Sequence, residues 1–120
     1  TGETINSVNT NSFTFSSPSV SGNTVYIGSA NGFLYAINKE LGTIHWIYQT
    51  EAGKSSNPTY FDEEGRKTEE LYKGLSFKSI ADTKILFDRL FSSGAIFSSP
   101  VVDKGTLYFS SADGYLYAIN

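Results

Sequence analysis

The segment from Phe13 to Asn38 lies on the segment from Ala95 to Asn120 without a gap, at a constant offset of 82 residues, and 15 of the 26 aligned positions are identical. Internal repetition constrains a chain strongly, because each copy must fold alike and bury the same kind of face against a neighbour. The shared residues fall in three blocks. Ser16-Ser17-Pro18 matches Ser98-Ser99-Pro100, and Thr24-Val25-Tyr26 matches Thr106-Leu107-Tyr108. Gly32-Phe33-Leu34-Tyr35-Ala36-Ile37-Asn38 matches Gly114-Tyr115-Leu116-Tyr117-Ala118-Ile119-Asn120.

Within each copy, apolar residues alternate with polar or small ones, and Ser21-Gly22-Asn23, Asn31-Gly32 and Asp113-Gly114 punctuate the runs. That is the signature of strands joined by tight hairpins, since Asn-Gly and Asp-Gly supply the positive φ such turns require. The 8 tyrosines and 9 phenylalanines suit sheets that pack face to face. An offset of 82 is also twice a period of about 41, the length of one four-stranded unit, and so predicts a third copy midway. Ser55-Ser56-Asn57-Pro58-Thr59 echoes the Ser-Ser-Pro opening, and Leu75 to Asp82 falls where the strand from Phe33 to Asn38 would recur. Ile85 and Phe87 against Leu86 and Asp88 then read as a further alternating strand.

The register predicts an all-β fold of about three four-stranded antiparallel units, within a single region over residues 1–120. Unit one spans about residues 11–50, with strands at 13–20, 24–30, 33–38 and 43–50. A degenerate unit two spans about 54–92, with strands at 57–61, 68–73, 75–81 and 84–91. A helix over 67–73 is the alternative there. Unit three spans about 95–120, with strands at 95–102, 106–111 and 115–120. Its fourth strand is expected from residues 3–10 or from a neighbour, because Thr1 to Val8 aligns with Leu41 to Tyr48.

These repeats resemble the β-propeller repeat of the quinoprotein dehydrogenases and their non-catalytic relatives, whose blades carry a docking motif of the form A-x-D-x-x-T-G-x-x-x-W. Ala36, Asn38, Leu41, Gly42 and Trp46 fill that spacing, with Asn38 for the usual Asp and Leu41 for the usual Thr. The resemblance implies that Trp46 staples one blade to the next. Asn6 takes the tryptophan position of the first partial unit. It implies a partial propeller completed by further blades or by self-association, and a periplasmic or extracellular setting.

Several functions lack the residues they need. The chain has no cysteine, which removes disulfides, thiolate metal sites and thiol nucleophiles. A net charge of -3 gives no field for nucleic acid. No apolar run is long enough to insert in a membrane, and Thr1 to Thr4 has no signal-peptide pattern. A chain without methionine reads as an excised piece.

Asp62, Glu63, Glu64, Glu69 and Glu70 lack the alternating spacing and the turn glycine of a calcium loop, so they read as a solvated surface. His45, the single histidine, reads as a strand position. Tyr26, Tyr35, Tyr108 and Tyr117 recur in both good copies, which favours packing over a sugar-stacking platform. The expectation is therefore a non-catalytic scaffold without metal or cofactor, binding a protein or a carbohydrate. A fragment of a quinone-dependent dehydrogenase and the ligand-sensing ectodomain of a membrane receptor or kinase are the alternatives.

Overall fold

The computed structural model describes residues 1–55 and 59–120. Two antiparallel meanders carry the repeats. The first sheet runs β1 (Ser19–Ser21), β2 (Thr24–Gly28), β3 (Phe33–Asn38) and β4 (Ile44–Gln49), paired in that order. The second runs β5 (Val101–Asp103), β6 (Thr106–Ser110) and β7 (Leu116–Ile119), also in order. Between them come a single helical turn α1 (Glu51–Ser55), a 3-10 turn at Glu69–Leu71 and the helix α2 (Ile80–Ser92).

The repeat extends to several of its hydrogen bonds. Ser16 Oγ donates to Gly28 O at 3.1 Å and accepts from Gly28 N at 2.9 Å; Ser98 does the same with Ser110 at 2.9 and 2.8 Å. The Ser-Ser-Pro block thus fastens the incoming chain to the end of β2 or β6. In the β2–β3 turn, Asn31 Oδ1 accepts from Phe33 N at 3.0 Å. Asp113 Oδ1 accepts from Tyr115 N at 3.1 Å in the β6–β7 turn. Such side-chain turns let Asn and Asp shape a hairpin from within.

The architecture corrects the expected three four-stranded units, whether as a partial or an oligomer-completed propeller. Among the described residues there are two sheets, of four and three strands, and they do not close. Where the register predicts strands over 68–73, 75–81 and 84–91, the chain makes the 3-10 turn and α2, plus an isolated bridge between Phe61 and Lys67. The echo at Ser56-Asn57-Pro58 lies outside the described residues. Residues 3–10 form no strand and complete neither sheet. They run past the first sheet, where Asn6 Nδ2 donates to Glu40 O at 2.8 Å and Val8 joins the Phe33, Tyr35 and Ile37 cluster.

The physical reason lies in the spacing of the apolar residues. Leu86, Phe87, Leu90 and Phe91 recur at intervals of three and four, so a helix presents them on one side, whereas a strand would split them between faces. Leu90 is fully buried against Ala30, Phe61, Leu71 and Ala95, with Leu86 and Phe87 packed on that cluster. At the end of α2, Gly94 N donates to Phe91 O at 3.0 Å and Ala95 N to Leu90 O at 3.3 Å. With Gly94 at φ 73°, this is a Schellman ending, which satisfies carbonyls the helix leaves free. Arg89 holds the 3-10 turn in place, donating from Nη1 to Glu70 O and Leu71 O and from Nη2 to Lys73 O at 2.9–3.1 Å.

Residues 51–94 are therefore an excursion inserted between two consecutive sheets, and the offset of 82 separates neighbours. The sheets touch directly. Ile96 N donates to Ser29 O at 3.0 Å, and Ser17 N donates to its own repeat equivalent, Ser99 Oγ, at 3.1 Å.

Candidate functional site, the open end of the second sheet

Each sheet has two chemically distinct faces, and register assigns every residue to one. In the first sheet, Tyr26, Gly28, Leu34, Ala36, Trp46 and Tyr48 lie opposite one another and share a face. Val25, Ile27, Phe33, Tyr35, Ile37 and Ile47 share the other. In the second sheet the corresponding faces carry Tyr108, Leu116 and Ala118, and Leu107, Phe109, Tyr117 and Ile119.

The sheets stack head to tail. The Tyr26 face of the first covers the Tyr117 face of the second, in a cluster of Leu34, Ile96, Leu107, Phe109 and Tyr117 flanked by Tyr26 and Tyr48. Tyr48 meets Phe109 at 5.8 Å and Tyr117 at 5.6 Å, both edge-on, while Phe109 and Tyr117 stack at 5.0 Å. Edge-on and offset stacked rings of this kind add about 0.5–1.5 kcal/mol per pair beyond area burial. Gly28 faces Ile96 so closely that a Cβ there would lie 2.2 Å from Ile96 Cγ2.

A buried tyrosine anchors a loop segment to each sheet. Tyr35 Oη donates to Thr10 O at 2.8 Å, and Asn31 Nδ2 donates to Tyr35 Oη at 3.3 Å and to Gly65 O at 2.9 Å. The pair thereby ties residues 8–12 and the 62–66 turn over the first sheet. Tyr117 Oη donates to Asp113 Oδ2 at 2.6 Å and accepts from Glu51 N at 3.0 Å, which ties α1 to the second sheet. Burial and the neighbouring carboxylate push the Tyr117 hydroxyl up to about 12. Desolvation pushes Asp113 up, but hydrogen bonds from Tyr117, Tyr115 N, Ala52 N and Ser111 outweigh it, and its carboxyl sits below the ordinary value.

The signs give a pH window. A depressed Asp113 contributes stability above the unfolded carboxylate value of about 3.9, lost as pH falls through its folded value. A raised Tyr117 contributes below about 10, lost as pH rises toward about 12. Asp62 and Asp82 are also lowered, chiefly by backbone N–H donors, so they share the acid limb. Asp113→Asn, which copies the natural Asn31–Tyr35 pair, is expected to cost about 1 kcal/mol at pH 7 and to flatten part of the acid limb. Urea midpoints between pH 2.5 and 7 check this; an unchanged slope in the variant overturns it.

The same face that the first sheet buries is bare on the second. Val101 is 58% exposed and Leu116 73%, whereas Leu34, the equivalent of Leu116, is fully buried. Among the described residues the second sheet has three strands. Ser111 N donates to Tyr115 O, so the backbone groups of residues 115, 117 and 119 turn toward β6. Those of Leu116 and Ala118 turn away from β6. This exposed face is the candidate site. The sequence signal was present in the gapless repeat, which shows what Leu34 does and therefore what Leu116 lacks.

The docking-motif residues fall as follows. Ala36 is buried at the centre of β3, and Asn38 Oδ1 accepts from Glu40 N and Leu41 N at 2.9 and 2.8 Å to shape the β3–β4 turn. Gly42, at φ 66°, ends that turn with Asn6 directly against it. Trp46 sits on β4, 37% exposed, its ring 5.9 Å from Tyr26 of its own sheet. The ring contacts between sheets are made by Tyr48, two residues on. His45 occupies an exposed position of β4.

Asp62, Glu64 and Arg66 pair with one another in a surface turn, and Glu69 and Glu70 begin the 3-10 turn. Among the described residues, no group of three or more His, Cys, Asp or Glu could hold a metal. An open polar groove of about 480 Å³ is lined by Asn9, Asn11, Ser12, Phe13, Arg66 and Lys67. Its cations are engaged, Arg66 with Asp62 and Glu64, and Lys67 over the Phe13 ring at 4.5 Å. No helix among the described residues is long and apolar enough to cross a membrane. No family model matches the chain, and no curated protein sequence is similar to it.

Proposed function

We propose that this chain is a non-catalytic binding module of stacked β-meanders, related to the quinoprotein-type repeat, whose working surface is the Tyr108 face of the second sheet. One observation carries the reading: within the molecule the repeat-equivalent face of the first sheet is covered by a second apolar sheet, whereas on the second sheet it is bare. Soluble proteins rarely leave such a patch uncovered without a partner for it. Val101, Tyr108 and Leu116 present aliphatic and aromatic surface, with Asp103 charged beside Val101 on the same side of β5, which fits another protein sheet. The cell envelope is the compartment the resemblance points to.

The first candidate partner is a second copy. Its Tyr35 face is sealed by residues 8–12, so two copies meet through their bare faces, in a two-fold pair. Sedimentation at micromolar concentrations is expected to give twice the 13.1 kDa of the chain, and Val101→Asp is expected to return the monomer. A chain that stays at 13.1 kDa at every concentration, with Val101→Asp indistinguishable from it, overturns the pairing.

A further inference from the structure

We infer that the groove between residues 9–13 and residues 66–67 is a binding site for a sugar acid, a ring of hydroxyls carrying one carboxylate. It shares no residue with the bare face of the second sheet, so it stands or falls apart from that reading. At about 480 Å³ the cavity has the size of a small-ligand site. Its two walls are joined before any ligand arrives. Asn31 Nδ2 donates to Thr10 O at 3.2 Å and to Gly65 O at 2.9 Å, so one buried side chain grips both. Asn11 Nδ2 ties them again, donating to Glu64 O at 3.0 Å. At the offset of 82 that relates the two meanders, Asn9, Asn11 and Ser12 give way to Phe91, Ser93 and Gly94. Residues kept for packing recur in both copies, as Tyr35 and Tyr117 do, whereas this wall belongs to one copy only.

The lining selects the ligand. Asn9 Oδ1 accepts from Asn11 N at 2.8 Å, which leaves the Asn9 amide nitrogen without an acceptor among the described residues. Arg66 uses Nε on Asp62 and Nη2 on Glu64, and Nη1 is left over. Lys67 rests over the Phe13 ring at 4.5 Å and pairs with no carboxylate among the described residues. A ring face orients an ammonium without occupying all three of its N–H bonds. Ser12 adds a buried Oγ with no hydrogen-bond partner among the described residues. An unpartnered buried hydroxyl in a cavity wall marks a polar group missing from the cavity. Arg66 is neutralised within its own turn and Lys67 is not, so the groove calls for one negative charge and several further acceptors. A carboxylate opposite Lys67, with hydroxyls for Asn9, Arg66 and Ser12, meets that demand.

The test titrates glucuronate into the whole chain labelled with nitrogen-15. Saturable shifts are expected at the Asn9 and Asn11 side-chain amides and at the Arg66 and Lys67 backbone, with a Kd on the order of 1 mM. Lys67→Gln is expected to weaken the sugar acid about tenfold. Ser12→Ala is expected to weaken it about threefold while leaving the urea midpoint of the free protein unchanged. Glucose, which lacks the carboxylate, and acetate, which lacks the hydroxyls, are each expected to bind at least about tenfold more weakly. A free sugar acid and a residue of an acidic polysaccharide share this chemistry. Tighter binding of a short oligoglucuronate assigns the polymer, and a response to the monomer alone assigns the free acid. Equal binding of acetate overturns the sugar, and equal binding of glucose overturns the charge. Absence of saturable shifts at the groove, or equal binding by Lys67→Gln, overturns the site.

Discussion

Gly28→Val is expected to lower the stability of the chain by about 3 kcal/mol, at the upper end of what overpacking a core costs. Gly28 is the point where the two sheets come closest, and even a single methyl there would collide with Ile96, which is itself fully buried. The backbone of Gly28 cannot retreat, because the Ser16 hydroxyl grips both its N–H and its C=O. Valine must therefore push the second sheet outward and loosen the Tyr48, Phe109 and Tyr117 rings. The repeat provides an internal control. Ser110 holds the same register in the second sheet but faces outward, so Ser110→Val is expected to stay within about 0.5 kcal/mol of the parent. Urea unfolding of the two variants checks the pair; equal midpoints would remove the claim that the sheets meet at Gly28.

Gly94→Ala is expected to cost about 3 kcal/mol as well, for a different reason. Gly94 ends α2 in the left-handed region, where an alanine costs about 1 kcal/mol in backbone terms alone. Its added Cβ would also stand 2.2 Å from Thr50 Oγ1. The Gly94 carbonyl accepts from Thr50 Oγ1 at 3.2 Å and from Ser111 Oγ at 2.8 Å, so one residue joins the end of the first sheet, the helix and the second sheet. The variant should lose helical circular dichroism together with sheet signal in one transition. Loss of the helical signal alone, with both sheets intact, would show that the excursion is an independent unit.

The meanders were legible because their information is local and duplicated. Alternation, Asx-Gly turns and the Ser-Ser-Pro block each specify hydrogen bonds within a dozen residues, and the strands at Thr24–Gly28 and Phe33–Asn38 fall where those signals lie. The middle of the chain was misread because a period was extrapolated over residues that do not share it. Ile85 to Asp88 alternates for only four positions, too few to outweigh the helical recurrence of Leu86, Phe87, Leu90 and Phe91. Ser79 ahead of Asp82, and Ser93-Gly94 after Phe91, were helix start and stop signals in plain view. The stacking of non-equivalent faces depends on contacts across 82 residues, as in the Ser17–Ser99 pair, and no local pattern records it. The open end became visible only when the buried Leu34 could be compared with the exposed Leu116.

The lashing of residues 8–12 over Tyr35 has a consequence for growth. A pile of sheets that join by unlike surfaces can lengthen without limit, as beads do on a thread. Here one outer surface of the pile is already covered by the polypeptide itself, so that surface is withdrawn from further stacking.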